Sequence, residues 1–299
     1  MKLALLALVL VAAIPVHEKH RQQPDWSKVQ IKSTKVNGNV YLLEGAGGNI
    51  GVSVGPDGIL IVDDQFAPLA DKIRASLKTL GQGKLRFILN THWHGDHTGG
   101  NASFGPEASI IAHDNVRKRL STEQYSAFFK SKIPPSPKEA LPVITFDQSL
   151  SVHFNGEEIR VIHFPNGHTD GDSIVFFTSS KVVHLGDDFF AGSFPYIDVD
   201  SGGSVEGLTK NIGEVITRIP ADAKLIPGHG PISSLDDLKA YHRMLVETSA
   251  IVRQKIEARK TLAQIKTEGL PAEWNSWGAG FIKTDQWLEL VYSSLTAKK

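Results

Sequence analysis

The chain of 299 residues has no cysteine, which excludes disulfides, thiolate-bound metal and cysteine nucleophiles at once. Any metal must be held by its twelve histidines and its acids. An excess of charge is missing too, since 32 Lys plus Arg balance 32 Asp plus Glu. With no overall basic field, neither nucleic acid nor anionic membrane is expected as a partner. Long hydrophobic runs are also absent. The longest, Leu3 to Ile14, has twelve residues, whereas a membrane-crossing helix needs about twenty. With Met1-Lys2 before it and a small-residue pattern at Val11-Ala12-Ala13, it has the layout of a secretory signal. The expectation is a signal peptide over 1–16, a periplasmic or secreted protein, and no transmembrane anchor after its removal. The competing reading is an N-terminal helix or strand packed on the core.

What is present reads as an ordinary globular protein, 41% hydrophobic and 21% charged. Residues 17–34 are charged and contain Pro24, which predicts an N-terminal lead-in. Apolar runs then recur between turn clusters, predicting strands at Val40–Leu43, Ile50–Val54 and Ile59–Val62. The Gly-rich cluster Gly45-Ala46-Gly47-Gly48-Asn49 lacks the Gly-Lys-Ser/Thr of a phosphate loop and reads as a hairpin turn, with a mobile hairpin folding over a substrate as the second reading. Leu69, Ile73, Leu77 and Leu80 lie at helical spacing, and strands follow at 85–90 and 109–112. Residues 121–142 break this rhythm with Phe128-Phe129 and Pro134-Pro135, predicting an inserted surface segment at one wall of a pocket. Strands resume at 150–154, 159–164, 173–177 and 182–185, with Asn155-Gly156 as a hairpin signal, and the tail is mostly helical. The reading is α/β, one domain over 35–299 with two sheets, outer helices and a helical C-terminal part.

The chemistry concentrates in Thr91-His92-Trp93-His94-Gly95-Asp96-His97, where three imidazoles and a carboxylate follow a buried-strand pattern. In an extended segment residues two apart project the same way, so His92 and His94 can grip one cation. Gly95 lets the chain turn and aim Asp96 and His97 at a second position. Three later segments place ligand-type residues directly after strands: Gly167-His168-Thr169-Asp170-Gly171, Gly186-Asp187-Asp188 and Gly228-His229-Gly230. Together these give seven donors, enough for two metals about 3.5–4 Å apart. Imidazole and carboxylate donors suit zinc, with iron or manganese as alternatives. Asp63 and His184 are candidates to lie behind the ligands and fix their orientation. Trp93 and the cluster Phe189, Phe190, Phe194 and Tyr196 read either as pocket wall or as packing.

The order His-x-His-x-Asp-His, Gly-His-Thr-x-Gly, Gly-Asp, Gly-His-Gly resembles the metallo-β-lactamase superfamily over most of residues 35–235. The resemblance implies a four-layer αβ/βα sandwich. It implies two Zn²⁺, one held by His92, His94 and His168, the other by Asp96, His97 and His229, with Asp187 bridging. It also implies a hydrolase for a small molecule, in which metal-bound hydroxide opens an amide or ester carbonyl, of a β-lactam or lactone, and Asp96 orients the nucleophile. Lactamases of one subclass place Cys where Asp187 stands and Lys where Phe190 stands, so thioester (glyoxalase II-like) and phosphodiester hydrolysis are the alternatives. Further off lie a di-iron oxidoreductase, whose members typically have Glu where His94 stands, and a non-catalytic zinc-binding protein. The sequence sets no oligomeric state.

Overall fold

The computed structural model describes residues 24–297. The expected signal peptide over 1–16 therefore lies outside the described residues, as does most of the lead-in's first part. The rest of the lead-in is built into the fold. Trp26–Lys28 forms one 3₁₀ turn, and the Lys72 ammonium donates to the carbonyls of Trp26, Ser27 and Val29. The first sheet begins at Lys32, inside the stretch read as lead-in. Lys32–Asn37 is an edge strand whose residues are exposed or half-buried, and charges on an edge blunt further pairing. Such a strand has no apolar alternation to read.

The seven-stranded sheet continues in chain order through Val40–Glu44, Ile50–Gly55, Gly58–Val62, Leu85–Leu89, Ser109–His113 and Ile144–Phe146. Pairing is antiparallel up to Gly58–Val62 and parallel from there on. The second sheet has five strands, Ser149–Phe154, Glu157–His163, Ser173–Phe177, Val182–His184 and Lys224–Ile226. All its pairs are antiparallel except the last. Asn155 and Gly156 turn the first hairpin with φ of 53° and 78°, the left-handed pair that a two-residue turn requires.

Side-chain alternation sorts these strands into layers. In Gly58–Val62 every residue is buried, because Leu60 and Val62 face the second sheet while Ile59 and Ile61 face a helix. Val161, Val175 and Phe177 meet them from the second sheet. Helix Ala70–Leu80 covers the first sheet through Ile73 and Leu77. Helices Val205–Arg218, Leu235–Glu257 and Thr284–Thr296 cover the second through Leu208, Ile212, Leu245 and Trp287. The order is helix, sheet, sheet, helix: the expected αβ/βα sandwich. The insertion at 121–142 holds a small hairpin, Gln124–Ser126 against Ser131–Ile133, which its three-residue strands gave no pattern to announce.

Candidate metal centre

The donors gather at one edge of the sandwich because they follow the carboxyl ends of strands running the same way. Thr91 to His97 follow Leu85–Leu89, His168 follows Glu157–His163, Asp187 follows Val182–His184, and His229 follows Lys224–Ile226. In open α/β sheets this is where ligands bind. The structure brings all seven residues together, in two groups. His92, His94, His168 and Asp187 form one, Asp96, His97 and His229 the other, with ligand atoms in each group within 4.8 Å of one another.

Asp187 joins the groups. Its Oδ2 lies 3.4 Å from His168 Nε2 and 3.8 Å from His92 Nε2. Its Oδ1 lies 3.0 Å from His97 Nε2 and 3.4 Å from His229 Nε2. Asp96 Oδ2 completes the second group 3.3 Å from His229 Nε2. Donors on a tetrahedral zinc at roughly 2.0–2.1 Å stand roughly 3.3 Å apart, so this spacing suits a divalent cation.

A second layer fixes the imidazoles. His97 Nδ1 donates to Asp63 Oδ2 at 2.8 Å, and His168 Nδ1 to the Tyr196 carbonyl at 2.7 Å. His92 Nδ1 meets Thr91 Oγ1 at 3.0 Å, whose hydroxyl in turn donates to Asp63. His94 Nε2 meets Asp198 Oδ2 at 2.9 Å. Each of these rings is thereby held with its other nitrogen facing inward, where it could offer a lone pair to a cation. Consistent with that, His92 Nε2 and Asp187 Oδ1 are buried with no hydrogen-bond partner among the described residues. Orphaned buried donors and acceptors are costly, and a cation between them would remove the cost.

Electrostatics divide the two groups. Burial pulls His168 down to about 4 against the pull of Asp187, and burial followed by repulsion from His97 holds His92 well below the usual range. In the other group burial is overcome. Asp187 and Asp96 drive His229 up to about 9 and raise His97 well above the usual range, while His97 and His229 hold Asp96 at about 2. Protons there occupy the place a cation would take.

Asp63 and His184 both lie behind the ligands. His184 Nε2 binds the Asn49 carbonyl and its Nδ1 accepts from the Gly186 amide, steadying the turn that carries Asp187. Asn49 also donates to the Pro227 and Gly230 carbonyls around His229. The segment 45–49, read as a hairpin turn, is thus tied to the site, with the Gly48 amide donating to the Asp96 carbonyl. Asp188 and Asp172 are a buried carboxyl pair under the His168 loop. Burial first, then mutual repulsion, raises Asp188 well above the usual range, and burial raises Asp172 to about 6. Asp188 accepts from the His168 amide.

Of the two readings offered for the aromatic residues, pocket wall or packing, the burial favours packing. Phe189 is fully buried and packs on Tyr241, deep in the core. Trp93 packs with Ala112, Val116 and Leu120 behind His94, and Phe194 stacks on Trp287. Phe190 is buried as well, its ring stacked on His229 at 5.0 Å. Apolar side chains at strand ends point into the nearest layer, and the layers here are closed. Tyr196 alone of that cluster reaches both the imidazoles and the exposed insertion. The residue missing from the sequence reading is Asp198, in an irregular loop with no motif around it.

The description Metallo-beta-lactamase superfamily fits residues 33–249, by the family model that matches there. A metallo-beta-lactamase type 2 of Bacteroides fragilis is 21% identical over 263 residues, covering 85% of this chain and 96% of that protein. A hydroxyacylglutathione hydrolase of a Polaromonas species is 29% identical over 151 residues, 49% of each chain. Among solved structures, the DIM-1 metallo-beta-lactamase superposes with a TM-score of 0.60 at 19% identity, over 74% of this chain and 100% of that one.

Proposed function

The chain belongs to the metallo-beta-lactamase superfamily, and from that premise we propose that it is a dinuclear zinc hydrolase opening the carbonyl of a small cyclic amide or ester, a β-lactam or lactone. The observation that carries this reading is Asp187, whose two oxygens face two separate donor sets. His92, His94 and His168 would hold one zinc and Asp96, His97 and His229 the other, with Asp187 reaching both. Bound zinc supplies a polarised carbonyl and a water acidic enough to ionise near pH 7.

The chain's own residues do the remaining work. Asp96 stands at the mouth, its side chain 31% exposed, and its ionised carboxylate accepts a hydrogen bond from the attacking water and orients it. Asp63, Thr91, Asp198 and the Tyr196 carbonyl keep the imidazoles from turning. Trp93 and Phe190 exclude water from behind His94 and His229. A second reading, thioester hydrolysis, is favoured by the likeness to a hydroxyacylglutathione hydrolase.

Metal analysis of the purified protein, followed by assays on a chromogenic β-lactam, a homoserine lactone, a glutathione thioester and a phosphodiester, tests both. Lactam or lactone turnover lost on chelation and restored by zinc supports the first reading, and turnover confined to the thioester supports the second. Two bound zinc ions with no turnover in any class would leave a metal-binding protein and end both. Asp96→Ala should lower kcat by about two orders of magnitude or more, with metal content measured in parallel because Asp96 is also a donor.

A further inference from the structure

The inserted segment is fastened to the first donor group by a clamp outside every donor loop motif. The helix that leads into it, Asp114–Leu120, carries Arg119 near its end. Arg119 donates from Nε to Asp170 Oδ1 and from Nη2 to Oδ2, both at 2.7 Å, a fork that meets both oxygens of one carboxylate. Its Nη1 donates to Gln124 Oε1 at 2.9 Å, and Gln124 Nε2 returns a bond to the Arg119 carbonyl at 3.2 Å. Gln124 opens the insertion's small hairpin. From the same helix Asn115 Nδ2 donates to the Asp170 carbonyl at 2.8 Å, and a Cβ on Gly171 would come within 3.1 Å of Val116. The side chains of Arg119 and Asp170 are only 17% and 28% exposed, so salt screens the pair less than one on the open surface.

Asp170 stands two residues from His168, and its loop is joined to the loop of Asp198. The Asp198 amide donates to the His168 carbonyl and the Asp170 amide to the Ser201 carbonyl, each at 2.9 Å. Asn166 Nδ2 donates to the Gly202 carbonyl, also at 2.9 Å. The two loops therefore move as one unit. That unit carries His168 itself and Asp198, the partner of His94 Nε2. The insertion reaches it a second time through the Ala127 amide, which donates to Asp200 Oδ2 at 2.7 Å. The second donor group is held from elsewhere, by Asp63 on His97 and by Asn49 on the carbonyls around His229.

Resting on the reading of the site as a metal centre, we propose that Arg119 is a positioning residue for the first metal: through Asp170 it sets the pair of loops from which His168 and the partner of His94 hang. Shape matters here as well as charge, because a lysine offers one point of attachment where the guanidinium offers two parallel bonds. The insertion thereby determines how tightly one of the two metals is held, and leaves the other alone.

Removing a donor from one group at a time separates the two affinities. Zinc is titrated against a chromophoric chelator in His229→Ala protein, which reads the first group, and in His94→Ala protein, which reads the second. Adding Arg119→Met to the first background should lower zinc affinity about tenfold, the lower end of the loss expected when an imidazole's direct partner is removed. Adding it to the second should change nothing. Arg119→Lys should give a smaller loss in the first group only, and it carries the comparison should Arg119→Met not fold. In the first background Asp170→Asn should cost about as much as Arg119→Met, and the two together no more than either, since both break one contact. Lys118→Met, which removes the exposed neighbouring cation, should spare both groups. Unchanged affinity in the first group, an equal loss in both groups, or additive losses from Arg119→Met and Asp170→Asn would each overturn the inference while leaving the metal centre standing. A native chain that binds no zinc at either group would overturn the metallohydrolase reading, and the inference with it.

Discussion

Asp63 and Asp198 perform one task for opposite halves of the site. Asp63 holds His97 in the second group and Asp198 holds His94 in the first, each through one hydrogen bond under 3 Å. Removing such an outer partner commonly costs 10- to 100-fold in metal affinity, of order, because the imidazole loses its orientation and part of its basicity. Asp63→Asn should therefore weaken the second metal by roughly that factor and the first less, through Thr91 and His92, while Asp198→Asn should weaken the first and spare the second. Stepwise zinc titration against a competing chromophoric chelator reads the two affinities, and equal loss of both metals in either variant would contradict separate anchoring. The two acids were unequally legible. Asp63 directly follows the strand paired with the one that leads into the histidine loop, and a ligating imidazole calls for such an acceptor. Asp198 meets a histidine 104 positions away from a loop with neither periodicity nor motif, so only the folded chain reveals it.

At the level of elements, the loops are shaped as much by missing side chains as by those present. A Cβ on Gly48 would lie 2.1 Å from the His97 ring, and one on Gly228 would lie 2.1 Å from Asp187 Oδ1. Neither neighbour can yield without leaving its donor position. Gly48→Ala should displace His97 and lose the second metal alone. Gly228→Ala should displace the carboxylate shared by both groups and lose both. Metal content per chain after gel filtration distinguishes these outcomes, and full metal occupancy in Gly228→Ala would show that Asp187 is not essential to either group. The sequence announced a turn at each place. It did not announce that the 45–49 hairpin closes over His97, because turn chemistry fixes a loop's shape and says nothing about what lies beneath it. The strands that escaped notice, Lys32–Asn37, Gln124–Ser126, Ser131–Ile133 and Ile144–Phe146, are short or exposed. The strands that carry the donors have buried apolar residues, such as Ile88 and Leu89, Val182 and Val183, or Leu225 and Ile226, and their apolar runs were plain.

Across the whole molecule, the donors hang from a sandwich whose layers do not depend on them. The apolar contact between the sheets, built on residues such as Leu60, Val161 and Phe177, lies beneath the site. Chelation should leave far-UV circular dichroism unchanged and lower Tm, since a ligand that binds only the folded state stabilises it by mass action. The pH dependence of the metal-free protein follows from the two groups. His229 holds its proton up to about 9 in the folded chain against 6.5 ordinarily. Its contribution is complete below 6.5 and is lost as pH rises through about 9. His168 behaves oppositely. Held at about 4, it refuses a proton that the unfolded chain accepts below 6.5, so stability also falls as pH drops from 6.5 towards 4. Asp96 extends the acid loss, its contribution being present above 3.8 and disappearing as pH falls through about 2. Metal-free protein should therefore be most stable near pH 6.5 on these groups, with Tm declining on both sides. In the zinc-loaded protein a cation takes the place of the His229 proton, and the alkaline decline should vanish. Calorimetric Tm measured from pH 5 to 10 with and without zinc should show two curves that diverge above 6.5. Parallel curves there would mean that the second group does not exchange a proton for a metal.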